Sequence, residues 1–162
     1  METSQRRVAQ TDLDAYAARF NEGPFMRHFG LEISFPKSEQ VVVTLANVRP
    51  EHRGGMGTDA INGGMLAAMF DYALGNTALL APPLRRNATV QLSMTFERAV
   101  RGSSARCEAR LDRAASKILF SSAHILDGSG NACARASAVI SMGAESTMEQ
   151  WTSAVSKTHG AT

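Results

Sequence analysis

Between Ile61 and Leu84 the chain carries one acidic or basic side chain, Asp71. A carboxylate in so apolar a run must be hydrogen-bonded or paired, or it is kept for chemistry. If the run is helical, the residues three, four and seven positions from Asp71 are Gly64, Ala67, Ala68, Leu74, Gly75 and Ala78, whereas Leu66, Met69, Phe70 and Leu80 fall on other faces. Asp71 then lies in a furrow of mostly small residues, which lets a backbone or a flat ligand come close and keeps the carboxylate reachable. A structural partner, an amide or an Arg, is the competing explanation for the same residue. Nine residues upstream, Asn62-Gly63-Gly64 opens the run. Asn caps a helix by accepting from a first-turn amide, and the two glycines leave such amides open to a ligand. A helix start gathers unpaired N–H groups and the positive end of the dipole, a setting that suits an oxyanion and is worth roughly 3–4 kcal/mol of barrier when a donor is well placed.

Other chemistries find little support. Cys107 and Cys133 form no C-x-x-C, and His28, His52, His124 and His159 include no pair at helical spacing, so no metal is expected and the thiols read as small buried side chains. No G-x-G-x-x-G follows a strand, and neither Gly-Lys-Ser/Thr nor Gly-x-Ser-x-Gly occurs, which removes the usual supports of nucleotide hydrolysis and serine-hydrolase chemistry. A net charge of +2 is too mild for a nucleic-acid binder. Asp71 and Pro82-Pro83 interrupt the longest apolar stretch, so a buried helix is expected there and no membrane span. The first ten residues lack the apolar core of a secretory signal, which points to the cytoplasm.

The elements that must position these groups follow from periodicity. At 162 residues with 44% hydrophobic and 20% charged residues, one folding unit with one core is expected. Leu13, Tyr16, Ala17 and Phe20 are spaced as a short helix after Gln10. Leu31–Phe35 and the β-branched Val41–Leu45 predict a hairpin around Pro-Lys-Ser-Glu. Arg49–Asp59, with Pro50, Gly54, Gly55 and Gly57, is a surface loop long enough to carry function. From Ile61 to Leu80 a single buried helix is expected, ended by Pro82. Beyond Asn87 the period becomes two. Val90, Leu92, Met94 and Phe96 alternate with polar neighbours, as do Ala105, Cys107, Ala109 and Leu111. Two more strands, Ile118–Leu126 and Cys133–Met142, flank the turn Asp127-Gly128-Ser129-Gly130-Asn131. Met148, Trp151 and Val155 have near-helical spacing in a tail from Ala144 that forms a short helix or frays. These elements predict an α+β fold in which a curved antiparallel sheet of five to six strands wraps one long central helix.

Asn62 to Gly75, with its Gly-Gly and the Asp eight residues on, resembles the His-Gly-Gly, then Asp, helix signature of hotdog-fold acyl-CoA thioesterases of the phenylacetate-degradation type. The resemblance covers roughly Phe25 to Met142, and divides the chain into a helical extension (1–24), a hotdog domain (25–143) and a C-terminal tail or short helix (144–162). It implies that Asp71 is the catalytic carboxylate, general base or nucleophile; that Gly63 and Gly64 hold the thioester carbonyl oxygen; that Thr89 helps orient water; and that the enzyme is a homodimer or a dimer of dimers with sites at the subunit interface. Asn62, Ala67 and Ala68 fall in the matching substrate-binding stretch. Two departures bear on substrate orientation: Asn62 stands where the family has His, and Met56 or Gly57 occupies the place of an upstream Asn.

Gly63 and Asp71 are eight residues apart, about 12 Å along a helix, so they cannot reach the same carbonyl. One site therefore needs two chains, in agreement with the resemblance. Coenzyme A carries phosphates, for which Arg98, Arg101, Arg113 and Lys117 near strand ends are candidates, with Arg85-Arg86 next. The expected activity is acyl-CoA hydrolysis without metal or bound cofactor. The alternative is a non-catalytic dimer that binds acyl-CoA or an aromatic ligand. A hydratase ranks last because the central helix has no His. The segments Leu79–Asn87 and Arg49–Asp59 are expected to shape the acyl pocket.

Overall fold

A computed structural model describes residues 7–54 and 58–157. Helices α1 (Gln10–Asn21) and α2 (Pro24–Phe29) precede the hairpin β1 (Leu31–Ser34) and β2 (Val41–Leu45). Then come α3 (Gly63–Gly75), β3 (Arg85–Phe96), β4 (Ala105–Ala114), β5 (Ile118–Asp127), β6 (Ala132–Glu145) and α4 (Met148–Lys157). The six strands form one antiparallel sheet in the order β1-β2-β4-β5-β6-β3. It curls around α3, so the α+β hotdog fold expected from the sequence is the fold observed.

The inner face of the sheet is built for a close helix. Ala105, Ala109, Ala123, Ala136 and Ala138 are buried at its centre, and their small side chains let α3 settle against β2 to β6. Met65, Leu66, Met69, Phe70, Ala73 and Leu74 fill the space between. Each large apolar side chain so buried contributes on the order of 2 kcal/mol. Cys107 and Cys133 are free and buried, as expected.

The central helix is shorter than the apolar run predicted, and it is open on one side. α3 ends at Gly75, and Asn76–Leu80 tighten into a 3-10 turn. Side chains take over the carbonyls that a continuing helix would have used. Asn76 Nδ2 donates to Tyr72 O at 2.8 Å, Thr77 Oγ1 to Leu74 O at 2.6 Å and Asn87 Nδ2 to Gly75 O at 2.6 Å. Polar caps of this kind satisfy orphan carbonyls without another turn. The tail does fold: α4 packs on α1, with Trp151 and Tyr16 in edge contact at 5.9 Å.

Candidate active site

Asp71 lies on the side of α3 that the sheet leaves uncovered. Its carboxylate is exposed, in line with exposed Gly63 and Gly64 and half-buried Ala67, Ala68 and Gly75. The furrow of small residues is therefore real, but Leu74 and Ala78 are buried in the core and do not line it. Asp71 has no ion pair or side-chain hydrogen bond among the described residues. The structural partner that could have explained it is absent among the described residues. Beside it, burial and then the charge of Asp71 raise the Tyr72 hydroxyl above its ordinary value.

Walls of different origin flank this strip. On one side runs β3, an edge strand of the sheet. Its register with β6 turns Thr89, Leu92, Met94 and Phe96 to the same face as buried Ile140, Ala138, Ala136 and Ala134. With no strand beyond them, Met94 (38%) and Phe96 (51%) stay exposed, and so does Val90 (62%), at a break in register. On the other side Tyr72 meets Phe20 and Phe25, with ring centroids 5.6 and 4.9 Å away.

α3 and β3 run in opposite directions. A side chain at Gly63 would meet the Phe96 ring at 3.8 Å, and one at Gly75 would meet Thr89 Oγ1 at 3.7 Å. Asp71 and Thr89 thus share one end of the strip, and Gly63 shares the other with Phe96. A hollow of about 380 Å³ at that second end is lined by Gly63, Leu66, Phe96 and Arg98.

Asn62 caps the helix as predicted, and in doing so corrects the expectation that both glycine amides are open. Asn62 Oδ1 accepts from Gly64 N at 2.7 Å, while Met65 N and Leu66 N donate to Asn62 O. The amide of Gly63, first residue of the helix, has no intrahelical acceptor by geometry. It is the donor that the cap leaves available.

The basic candidates do not form one cluster. Arg98 joins the Gly63 end, and Arg101 is paired with Asp59 at 2.7 Å. Arg113 stands opposite exposed Phe120 on the outer face of the sheet, and Lys117 lies in the β4–β5 turn. That turn adjoins the start of β3, where Arg85 Nη1 donates to Ser116 O at 2.6 Å. Arg98 is thus about 3.3 Å per residue times the length of β3 away from Lys117. Sequence reasoning missed the aromatic wall and gave α4 no place beside the site; with Arg86, Asn87 and Trp151, α4 bounds a cleft of about 930 Å³ at the start of β3. The upstream position at Met56 or Gly57 lies outside the described residues. Among the described residues no three His, Cys, Asp or Glu side chains could hold a metal ion together, and no helix is long and apolar enough to cross a membrane.

An antiparallel sheet curled round one central helix is the hotdog fold, and here the open strip of that helix bears a carboxylate and a free amide. Residues 59–134, just under half of the chain and including α3 and β3–β5, match the family model described as the Thioesterase superfamily. The fold is similar to that of a Shewanella oneidensis protein related to the thioesterase superfamily, at TM-score 0.74 and 19% identity over 85% of this chain and 100% of the other. It is similar as well to a Haemophilus influenzae thioesterase, at 0.68 and 16% over 85% and 92%. The E. coli PaaI protein of the phenylacetic acid degradation operon matches at 0.70 and 15% over 86% and 99%. The resemblance drawn from Asn62–Gly75 is thus supported by a family model and by fold. No curated protein matches the chain in sequence.

Proposed function

We propose that the protein is an acyl-CoA thioesterase that works as a homodimer, or as a pair of such dimers, in the cytoplasm. One observation carries this reading. A carboxylate, Asp71, and an amide, Gly63, each without a partner among the described residues, lie on the same open strip at opposite ends of one edge strand. Within one helix they are about 12 Å apart, beyond reach of a common carbonyl. A two-fold axis that pairs β3 with its copy makes the strands antiparallel, so the Thr89 end of one meets the Phe96 end of the other. Asp71 then faces the partner's Gly63, and the exposed Val90, Met94 and Phe96 are covered.

In that arrangement the Gly63 N–H donates to the thioester oxygen and stabilises the charge that develops on it. Asp71 takes the proton of the attacking water, which Thr89 orients, and passes it to the departing sulfur; if Asp71 instead attacks the carbonyl itself, the thiolate leaves, an acyl anhydride forms on Asp71, and water then hydrolyses that anhydride and supplies the thiol proton. Coenzyme A leaves as the thiol. Ala67 and Ala68 give the acyl-thioester close approach to the helix. Arg98 at the amide end, and Arg113 and Lys117 toward the other, attract the coenzyme phosphates. The groups named supply the whole reaction without metal or bound cofactor, and nothing in the charge pattern favours nucleic acid.

A second reading, a dimer that binds acyl-CoA or an aromatic ligand without efficient turnover, is favoured by one contact. The 2.7 Å bond from Gly64 N to Asn62 Oδ1 occupies one of the two amides. Thiol release from a panel of acyl-CoAs decides between them. Turnover that falls by on the order of a hundredfold or more in Asp71→Asn supports hydrolysis. Tight retention with no turnover supports the binder, and undiminished turnover in Asp71→Asn defeats the assignment.

A further inference from the structure

His52 is a polar side chain buried in the core, 1% exposed, and the chemistry above does not use it. Its Nδ1 accepts the Arg49 backbone N–H at 2.9 Å. An acceptor at Nδ1 assigns the ring hydrogen to Nε2. The Arg49 guanidinium stands 3.2 Å from Nε2, pairs with Glu51 at 3.0 Å and also donates to the His28 carbonyl. The charged and titratable groups around the ring are therefore Arg49, Glu51 and His28.

The backbone of His52 holds the beginning of α3. Its carbonyl accepts from Asn62 N at 2.8 Å, Arg53 bridges Ile61, and Gly54 N donates to Ala60 O at 2.7 Å. Asn62 is the cap, and Gly63 follows it. From α2 to the free amide the connection is thus Arg49, His52, Asn62 and Gly63.

We propose that His52 is a positioning residue whose neutral ring locks the first turn of α3, so that the Gly63 amide is in place only while that ring is uncharged. Protonation puts hydrogens on both ring nitrogens. Nδ1 can then no longer accept from Arg49, and a second positive charge arises beside the guanidinium. The ring must leave its seat, and the rung between His52 and Asn62 loosens with it. The consequence for turnover rests on the thioesterase reading; the consequence for the helix start does not. Burial and then Arg49 hold the imidazole below its ordinary value, which sets the transition on the acid side of an ordinary histidine.

The test follows protection factors of the segment 58–66 by hydrogen exchange and kcat and KM for acyl-CoA hydrolysis, from about pH 8 to pH 5, in wild type and His52→Asn. Asn keeps an acceptor near the Nδ1 position and does not titrate. In wild type, segment 58–66 should lose protection in acid before the sheet does, and kcat should fall on the order of tenfold with KM little changed. His52→Asn should show a lower kcat at neutral pH and no acid step in either reading. Protection that is flat across the range in wild type overturns the proposal, as does the same acid step in His52→Asn. Acid loss of protection in a protein that hydrolyses no acyl-CoA upholds the lock and removes only the thioesterase reading. Should His52→Asn fail to fold, the wild-type exchange series alone decides.

Discussion

At the scale of single residues, the account turns on what Gly63 contributes, an N–H rather than an absent side chain. The backbone of Asn62 (φ −61°, ψ 136°) already lies in the region that a following proline requires, and the first helical position is where proline is best tolerated. Gly63→Pro should therefore remove the amide hydrogen and leave unfolding free energy within about 1 kcal/mol of wild type. Its kcat should fall by roughly 10²–10³, the usual loss for one oxyanion donor. Urea unfolding alongside steady-state kinetics checks both halves, and unchanged kcat in a folded variant would show that another donor serves the carbonyl. Asp71 and the glycines were legible in the sequence because a lone charge and a glycine pair stand out of an apolar run. The commitment of Gly64 to Asn62 was not, because the same cap chemistry is compatible with an amide that is open or taken.

At the scale of elements, the strands and the start of the central helix were legible and its stop was not. Alternation along β4 to β6 expresses which face is buried, and the register agrees with it; in β3 it holds from Leu92 to Phe96, while a break in register at Val90 puts Thr89 on that face instead. The stop of α3 depends on Asn76, Thr77 and Asn87, whose side chains close carbonyls by contacts no periodicity records. α1 reinforces that stop. The Tyr16 hydroxyl, pushed well above its ordinary value by burial, donates to Asn76 Oδ1 at 2.8 Å. Tyr16→Phe leaves that buried oxygen without its donor and should cost about 1–3 kcal/mol. A lower urea midpoint at constant m value would report it, and an unchanged midpoint would mean that α1 does not brace the end of α3. The basic residues show the same limit from another side. Arg98, Arg113 and Lys117 are close in sequence, yet the hairpin between β4 and β5 carries the last two to the far end of β3.

At the scale of the whole molecule, the protomer alone leaves the proposed chemistry incomplete and an edge strand uncovered. Exposed apolar edges are templates for pairing, and a lysine there is a natural block. Met94→Lys should yield a folded protomer that sediments at half the wild-type mass or less and has lost turnover. A variant that remains dimeric would place the interface elsewhere. The expectation of two chains in one site comes from the spacing of Gly63 and Asp71, because helix rise is fixed. The proposal that β3 supplies the contact comes from the strand order, which puts β3 outermost.

The most direct measurement of the central claim is complementation between two inactive proteins. Asp71→Asn and Gly63→Pro chains are mixed, allowed to exchange subunits, and assayed for acyl-CoA hydrolysis, with hybrid formation followed by mass. Each hybrid dimer holds one site with both defects and one with neither, so random exchange should restore about a quarter of wild-type turnover. Hybrids that form in the expected proportion and remain inactive would contradict a site shared between the Asp71 of one protomer and the Gly63 amide of its partner.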